Sequence, residues 1–127
     1  MNEEKNLRQA LAGWCDAINK NDVEKVITFY KADAILLPTL APNIAKSRPD
    51  YFAYFDTLML NPKFQVEIID SNLRIWQDFA INSGFYTFSF ERDRIKIEVP
   101  ARFTFIYSKM PEGWMIIEHH SSQIPKI

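Results

Sequence analysis

Apolar residues recur at helical spacing in the first part of the chain. One stripe falls at i, i+4, i+7 and i+11, which predicts an amphipathic first helix. Its residues are Leu7, Leu11, Trp14 and Ile18. Asn21 and Glu24 then resemble a capping box, which predicts the start of a second helix. The apolar positions of this second helix are Val23, Val26, Ile27 and Tyr30.

A short strand and a third helix are predicted next. An apolar run that stops at Pro38 predicts a buried strand, and residues 39–46 are predicted to form a loop. Ser47 and Asp50 form a second capping pair, and the helix that they begin ends at Asn61. The buried face of this helix is predicted to consist of Phe52, Phe55, Leu58 and Met59.

From Phe64 onward, apolar and polar residues alternate with a period of two, which predicts about four long antiparallel strands. Turns are predicted at residues 77–78, 92–94 and 110–112. The alternation places one group of aromatic residues on a single face, namely Tyr86, Phe88 and Phe90. The chain is therefore predicted to form a single α+β domain over residues 1–127, with N-terminal helices packed on a strongly curved antiparallel sheet.

The last predicted hairpin ends in the two histidines of the chain. With a turn at 110–112, Phe105 is predicted to face Ile117 and Arg102 to face His120. One face of the hairpin would then contain Phe103, Phe105, Tyr107, Met115, Ile117 and His119. The other face would contain Arg102, Thr104, Ile106, Ser108, Trp114, Ile116, Glu118 and His120. The first face is apolar until His119, which suggests an apolar concavity with a polar end.

Composition narrows the possible partners. The 127 residues are 47% hydrophobic and 24% charged, which is typical of a globular domain with an ample core. The formal net charge of −1 gives no field that would attract nucleic acid or an anionic membrane. No secretory signal is expected from the acidic first residues, and no apolar stretch is long enough to span a membrane. Cys15 is the only cysteine and forms no intrachain disulfide, so a cytoplasmic location is expected.

No cofactor and no metal are expected either. Three glycines in the whole chain cannot build any of the glycine-rich loops that bind nucleotides. His119 and His120 are adjacent on a predicted strand, so their side chains project to opposite faces and cannot readily bind one metal ion. Cys15 has no cationic neighbour and no redox motif, which favours a buried, inert thiol.

The order of elements resembles the cone-shaped folds of nuclear transport factor 2, ketosteroid isomerase and the SnoaL-like polyketide cyclases. Three segments, WCDAINKND at 14–22, FYKADAILLP at 29–38 and GWMIIEHHSS at 113–122, look like small bacterial relatives of the association domain of calcium/calmodulin-dependent protein kinase II. The resemblance covers nearly the whole chain. It implies the cone fold and a tendency to form oligomers, whereas activity depends on the site rather than on the fold.

Departures from these families bear on the chemistry. Ketosteroid isomerases carry a proton-shuttling carboxylate near the end of the first strand, but residues 34–38 contain no acid, which argues against that reaction. The association domain of the kinase has arginines in a deep pocket, but the matching positions of this chain carry no arginine. The resemblance therefore does not extend to carboxylate binding by that arrangement. The matching positions here are Tyr86, Phe105 and Ser121. Arg48 and Arg74 could add positive charge at the mouth of the cone or could be solvated surface residues.

Each histidine has two possible roles. His119 could act as a general base or hydrogen-bond partner in a pocket, or it could be a neutral core histidine bonded to Ser121 or to a backbone carbonyl. His120 lies near Glu118 and could form an acid–base pair or belong to an interface. The predicted ligand pocket around His119 is lined by Trp14, Tyr30, Tyr51, Tyr86, Phe105 and Ser121.

Two functions follow from these observations. The first is a homodimeric or larger protein that binds a small, largely apolar ligand inside the cone, with His119 as the candidate base of a lyase or isomerase. The alternative is an oligomerisation module without catalysis. In both cases self-association is expected through the outer face of the last hairpin, because apolar groups there would otherwise be exposed to water. The predicted interface consists of Arg102, Ile106, Trp114, Ile116, Glu118 and His120.

Overall fold

The computed structural model of the protein describes residues 2–127. Three helices precede most of the sheet, namely α1 (Glu3–Asn19), α2 (Val23–Ile27) and α3 (Arg48–Met59). The strands are β1 (Tyr30–Leu37), β2 (Gln65–Ile75), β3 (Phe79–Arg92), β4 (Ile95–Met110) and β5 (Gly113–Gln123). Among the residues described, no helix is both long enough and apolar enough to cross a membrane.

The five strands form one curved sheet in the order β1-β5-β4-β3-β2. All neighbouring strands are antiparallel except β1, which runs parallel to β5 at one edge. Helix α1 packs against β2 and β5, and α3 packs against α2 and β1. The predicted α+β class, with N-terminal helices on a curved and mostly antiparallel sheet, is confirmed.

The predictions for the helices were partly right, both for their first residues and for their buried faces. Ser47 is the N-cap of α3, and its side chain accepts a hydrogen bond from the Asp50 amide, as expected. The N-cap of α2 is Asp22 rather than Asn21, because Asn21 adopts a left-handed conformation with φ of 58° where α1 ends. Tyr30, predicted on a helix, is the first residue of β1. Phe52, predicted in the buried face of α3, is 37% exposed.

The register predicted for the last hairpin was wrong, for two reasons. The turn contains two residues rather than three, so Lys109 pairs with Trp114. Further along, Tyr107 pairs with Ile116 while Ile106 pairs with Glu118, so one extra residue in β5 has no partner. Phe105 therefore lies opposite His119, and Arg102 lies opposite Ser122.

This bulge changes which side chains of β5 face the core. Before the bulge, Trp114 and Ile116 are buried, and after it His119 is buried, although an unbroken alternation would place these residues on opposite faces. The prediction that Trp114 and Ile116 belong to an outer interface is therefore wrong, since both pack on the inner side. The predicted interface residues that do lie outside the core are Arg102, Ile106, Glu118 and His120.

Candidate functional site

A continuous chain of hydrogen bonds crosses the interior of the cone. Trp14 on α1 donates from Nε1 to Tyr30 Oη at 3.1 Å, and Tyr30 Oη lies 2.8 Å from His119 Nδ1. On the other side of the imidazole ring, Nε2 lies 3.1 Å from Tyr86 Oη. Tyr86 donates to Ser121 Oγ at 2.5 Å. Four elements, α1, β1, β3 and β5, are thus joined through one buried histidine.

The chain of hydrogen bonds ends at Thr39, the second residue after β1. Its hydroxyl contacts Ser121 Oγ, and both residues are buried. The backbone carbonyl of Thr39 also accepts a hydrogen bond of 2.8 Å from the hydroxyl of Tyr54 on α3. The interior chain is therefore connected to the segment between β1 and α3.

One assignment of protons satisfies every member from Trp14 to Ser121. Because the Tyr30 oxygen accepts from Trp14, its own hydrogen is free to be donated to His119 Nδ1. His119 Nε2–H then donates to Tyr86, whose hydroxyl donates to Ser121. The assignment requires a neutral histidine that carries its proton on Nε2.

The electrostatics of the interior favour this neutral form. His119 is 2% exposed, and burial lowers its pKa to about 3, with a smaller contribution from the neighbouring His120. Burial also raises the pKa values of Tyr30 and Tyr86 well above the ordinary tyrosine value. Both ring nitrogens of His119 are occupied by tyrosine hydroxyls, so neither is directed at an open space where a ligand would bind.

The residues predicted to line a pocket are brought together, but they fill the space among themselves. Phe105 stacks on the His119 ring with 4.0 Å between centroids, and Trp14 contacts the same ring edge-on at 5.6 Å. Tyr51 packs against Tyr30 at 5.3 Å and donates its hydroxyl to the carbonyl of Ala34. All six predicted pocket residues are at most 5% exposed: Trp14, Tyr30, Tyr51, Tyr86, Phe105 and Ser121.

An open cavity lies elsewhere, between α3, the segment that joins β1 to α3, and the β3–β4 hairpin. This cleft has a volume of about 670 Å³. Most of its lining is apolar: Pro38, Leu40, Ala41, Ile44, Ala45, Ala53, Leu58, Phe90, Ile97 and Val99. None of the six residues predicted to line a ligand pocket borders it, and neither does His119.

A few polar side chains border the cleft. Tyr54, which donates to Thr39, lies on its α3 wall, and Arg92 lies on the hairpin wall. Asp50 belongs to the first turn of α3. Arg48 and Arg74, considered from the sequence as charges at the mouth, do not border the cleft. They donate instead to the carbonyl of Ile27 and to Ser83 Oγ, respectively.

Sequence reasoning missed this cleft although part of its signal was visible. Phe90 was predicted on the same face as Tyr86, and residues 39–46 were predicted to form a loop. No pattern in the sequence indicated that this loop lies close to Phe90. An additional signal in the sequence was the apolar content of that loop, which includes Leu40 and Ile44. In the structure, these two side chains are 52% and 49% exposed. Within residues 2–127, no group of three His, Cys, Asp or Glu side chains is arranged to hold a metal ion.

The fold is that of the cone-shaped proteins that are like nuclear transport factor 2. An NTF2-like protein with a cystatin-like fold from Novosphingobium aromaticivorans superposes with a TM-score of 0.86 over 99% of this chain and 84% of its own, at 13% identity. A ketosteroid isomerase-like protein from Erwinia carotovora atroseptica superposes with a TM-score of 0.78 over 99% of this chain and 100% of its own, at 18% identity. These two likenesses establish the fold alone.

A third comparison is more specific. A protein from Xanthomonas campestris, named for the calcium/calmodulin dependent protein kinase II association domain, is 32% identical with a TM-score of 0.87, over 95% of this chain and 87% of its own. The family model of that association domain matches residues 3–125. The chain therefore belongs to the calcium/calmodulin dependent protein kinase II association domain family. A comparison with the curated proteins found no match.

Proposed function

We propose that this protein binds a small, largely apolar molecule in the cleft between α3 and the β3–β4 hairpin. The observation that carries the proposal is the cleft itself, whose volume of about 670 Å³ and mostly apolar lining are typical of small-molecule sites. Exposed Leu40 and Ile44 on the loop wall give a ligand apolar surface to cover.

The interior around His119 is a poorer candidate for the same ligand. A molecule there would have to displace Trp14, Phe105 or Tyr86 and would break hydrogen bonds to His119 that are already satisfied. Leaving such buried polar groups without partners costs about 1–3 kcal/mol each. The cleft requires no comparable displacement.

Binding, rather than catalysis, is the function that this site supports. Among the described residues that line the cleft there is no histidine or cysteine, and the carboxylate present, Asp50, accepts a hydrogen bond of 3.0 Å from the Lys46 amide at the start of α3. General acid–base catalysis needs a group within reach of the reacting proton and with a pKa near the working pH. His119 meets neither requirement for a molecule in the cleft.

Fluorescence titration with N-phenylnaphthylamine, an uncharged apolar dye, tests the proposal. Ala53 is an exposed α3 residue on the cleft wall, so Ala53→Trp should fill the cleft and abolish binding. Phe52→Trp places the same side chain at an exposed neighbouring position outside the cleft and should leave affinity unchanged. Equal binding by the two variants, or no binding by the wild-type protein, would contradict the cleft as the site.

We also propose self-association through the outer face of the sheet. Phe85 on β3 is 41% exposed and lies opposite Arg102, while further along the same two strands Ile81 pairs with Ile106. A sheet face that mixes aromatic and aliphatic residues with charges has the composition of many protein interfaces. The name of the family, an association domain, supports the same proposal.

Phe85→Glu tests the proposed interface. The glutamate would place a charge in the middle of the outer face, so the assembly should dissociate while the monomer stays folded. Phe52→Glu introduces the same charge at a similarly exposed position on α3 and should leave the mass unchanged. Light scattering at micromolar concentration checks both variants, and a monomeric wild-type protein would overturn this second proposal.

A further inference from the structure

We infer that the cleft selects an apolar molecule with one anionic group, and that Arg92 binds this group. The inference rests on the proposed function of the cleft and adds the chemical class of its ligand. Three observations support it: the backbone position of Arg92, the stacking of its side chain on a residue of the cleft wall, and the absence of an ion pair between Arg92 and the described acidic residues.

The backbone fixes the position of Arg92. It is the last residue of β3 and pairs with Ile95, the first residue of β4. Only Asp93 and Arg94 join the two strands, and both have positive φ, 53° and 66°, as a tight type I′ turn requires. Because the two strands continue directly from this turn, the hairpin holds Arg92 on its own wall of the cleft.

The side chain of Arg92 lies over an aromatic ring of the cleft. Its guanidinium carbon is 5.4 Å from the centroid of the Phe90 ring, and both residues line the cavity. Phe90 is nearly buried, whereas Arg92 is exposed. Such stacking holds the planar guanidinium in place and leaves its N–H groups free at the edge to donate to an oxygen acceptor.

The neighbouring acids do not neutralise this cation. Within residues 2–127, Arg92 forms no ion pair. Glu91 pairs with Lys63 at 3.1 Å instead. Asp50, the carboxylate that lines the cleft, accepts from the Lys46 amide and lies in the first turn of α3, where the helix dipole favours its charge.

These observations define the orientation of a ligand. Its apolar body lies against Phe90, Leu58 and Ile44, which line the cavity, and its anionic group reaches the guanidinium on the hairpin wall. Carboxylates and sulfonates both present oxygens that the donor fork of arginine can bind. An apolar cation would meet an unfavourable charge at the same place.

A matched pair of dyes tests the inference. Anilinonaphthalene sulfonate has the aromatic body of N-phenylnaphthylamine with an added sulfonate, so the two dyes separate the charge from apolar binding. Arg92→Gln should weaken sulfonate-dye binding by about fivefold, the upper range for one exposed charge pair, and should change binding of the neutral dye by less than about twofold. Arg92→Lys should keep part of the sulfonate affinity, and added salt should weaken only the charged dye.

Arg94→Gln is the control, because it removes the same charge from the same turn at a residue that does not line the cleft. It should leave both dyes nearly unaffected. An equal loss of sulfonate binding in the Arg92 and Arg94 variants would overturn the inference, and so would an equal loss of both dyes in Arg92→Gln. If the neutral dye fails to bind the wild-type protein, the proposed function itself fails, which is a separate result.

Discussion

The interior of the cone and the cleft beside α3 are built from similar apolar and aromatic residues, yet only the cleft is open. In the interior, Trp14, Tyr30, Tyr86 and Phe105 pack around His119, and the polar atoms of that hydrogen-bonded chain are paired with one another. In the cleft, apolar walls face open space, and the charged side chains that border it are those of Asp50 and Arg92. Aromatic residues around a histidine therefore indicate a satisfied core in this protein, and open space is found where a loop and a helix separate from the sheet.

The largest expected effect comes from removing a ring of the interior. Phe105→Ala should lower the free energy of unfolding by about 3–5 kcal/mol, because the ring is completely buried and packs on His119. Phe52→Ala, which removes a ring exposed to 37%, should cost less than about 1 kcal/mol. Urea denaturation measures both, and a loss below that of the control would show that the interior is loosely packed.

The second prediction concerns how the free energy of unfolding depends on pH. The pKa of His119 is about 3 in the folded protein and near 6.5 when unfolded, so the unfolded state binds more protons between these values. Stability should therefore fall as the pH decreases from about 6.5 towards 3, by at most about 1.4 kcal/mol per pH unit from this group. Above pH 6.5 the contribution of His119 should be constant.

The two adjacent histidines supply the control for this prediction. His119→Gln should remove much of the slope of unfolding free energy against pH, whereas His120→Ala should keep most of it, because His120 is exposed on the outer side. Urea midpoints measured across the pH range give the slopes. A larger change in slope for His120→Ala would show that the buried histidine does not control acid stability.

A smaller effect tests whether the interior and the cleft are coupled. Thr39→Val removes the hydroxyl that contacts Ser121, which should cost about 1 kcal/mol of stability. Because Thr39 lies between Pro38 and Leu40 of the cleft wall, binding of N-phenylnaphthylamine should also weaken. Thr57→Val changes the cleft wall outside the hydrogen-bonded chain and should leave stability nearly unchanged. Unchanged dye affinity in Thr39→Val would indicate that the two regions are independent.

The smallest effect is expected at Tyr107. Its hydroxyl is buried and has no hydrogen-bond partner among the described residues. Tyr107→Phe should therefore be neutral or stabilising by less than about 1 kcal/mol. Tyr30→Phe, which leaves Trp14 Nε1 and His119 Nδ1 without partners, should destabilise by about 1–3 kcal/mol. Thermal unfolding of both variants makes the comparison, and equal losses would mean that Tyr107 has a partner in solution.

Much of the fold could be predicted because periodicity reports which face of an element is buried. The stripe of Leu7, Leu11, Trp14 and Ile18 lies in the core as predicted, and the alternation of β3 places Tyr86, Phe88 and Phe90 inside. These patterns depend only on the regular geometry of helices and strands. They fail where the geometry is irregular.

The last hairpin shows this failure. A bulge in β5 adds one residue without any composition signal, and it reverses the faces of the residues that follow. Trp114 and Ile116 precede the bulge and were predicted outside because the turn has two residues rather than three; both are buried. The bulge then returns His119 to the face on which it was predicted. The cleft was not predicted for a related reason. Its walls come from α3, a loop and a hairpin, and the relative positions of these elements depend on tertiary packing.

The most direct test of the account is a crystal structure of the protein grown with N-phenylnaphthylamine. We expect electron density for the dye between α3 and the β3–β4 hairpin, in contact with Tyr54 and Phe90, with the rings around His119 unmoved. Density for the dye among Trp14, Tyr86 and His119, with those side chains displaced, would contradict the account and would return the ligand site to the interior of the cone.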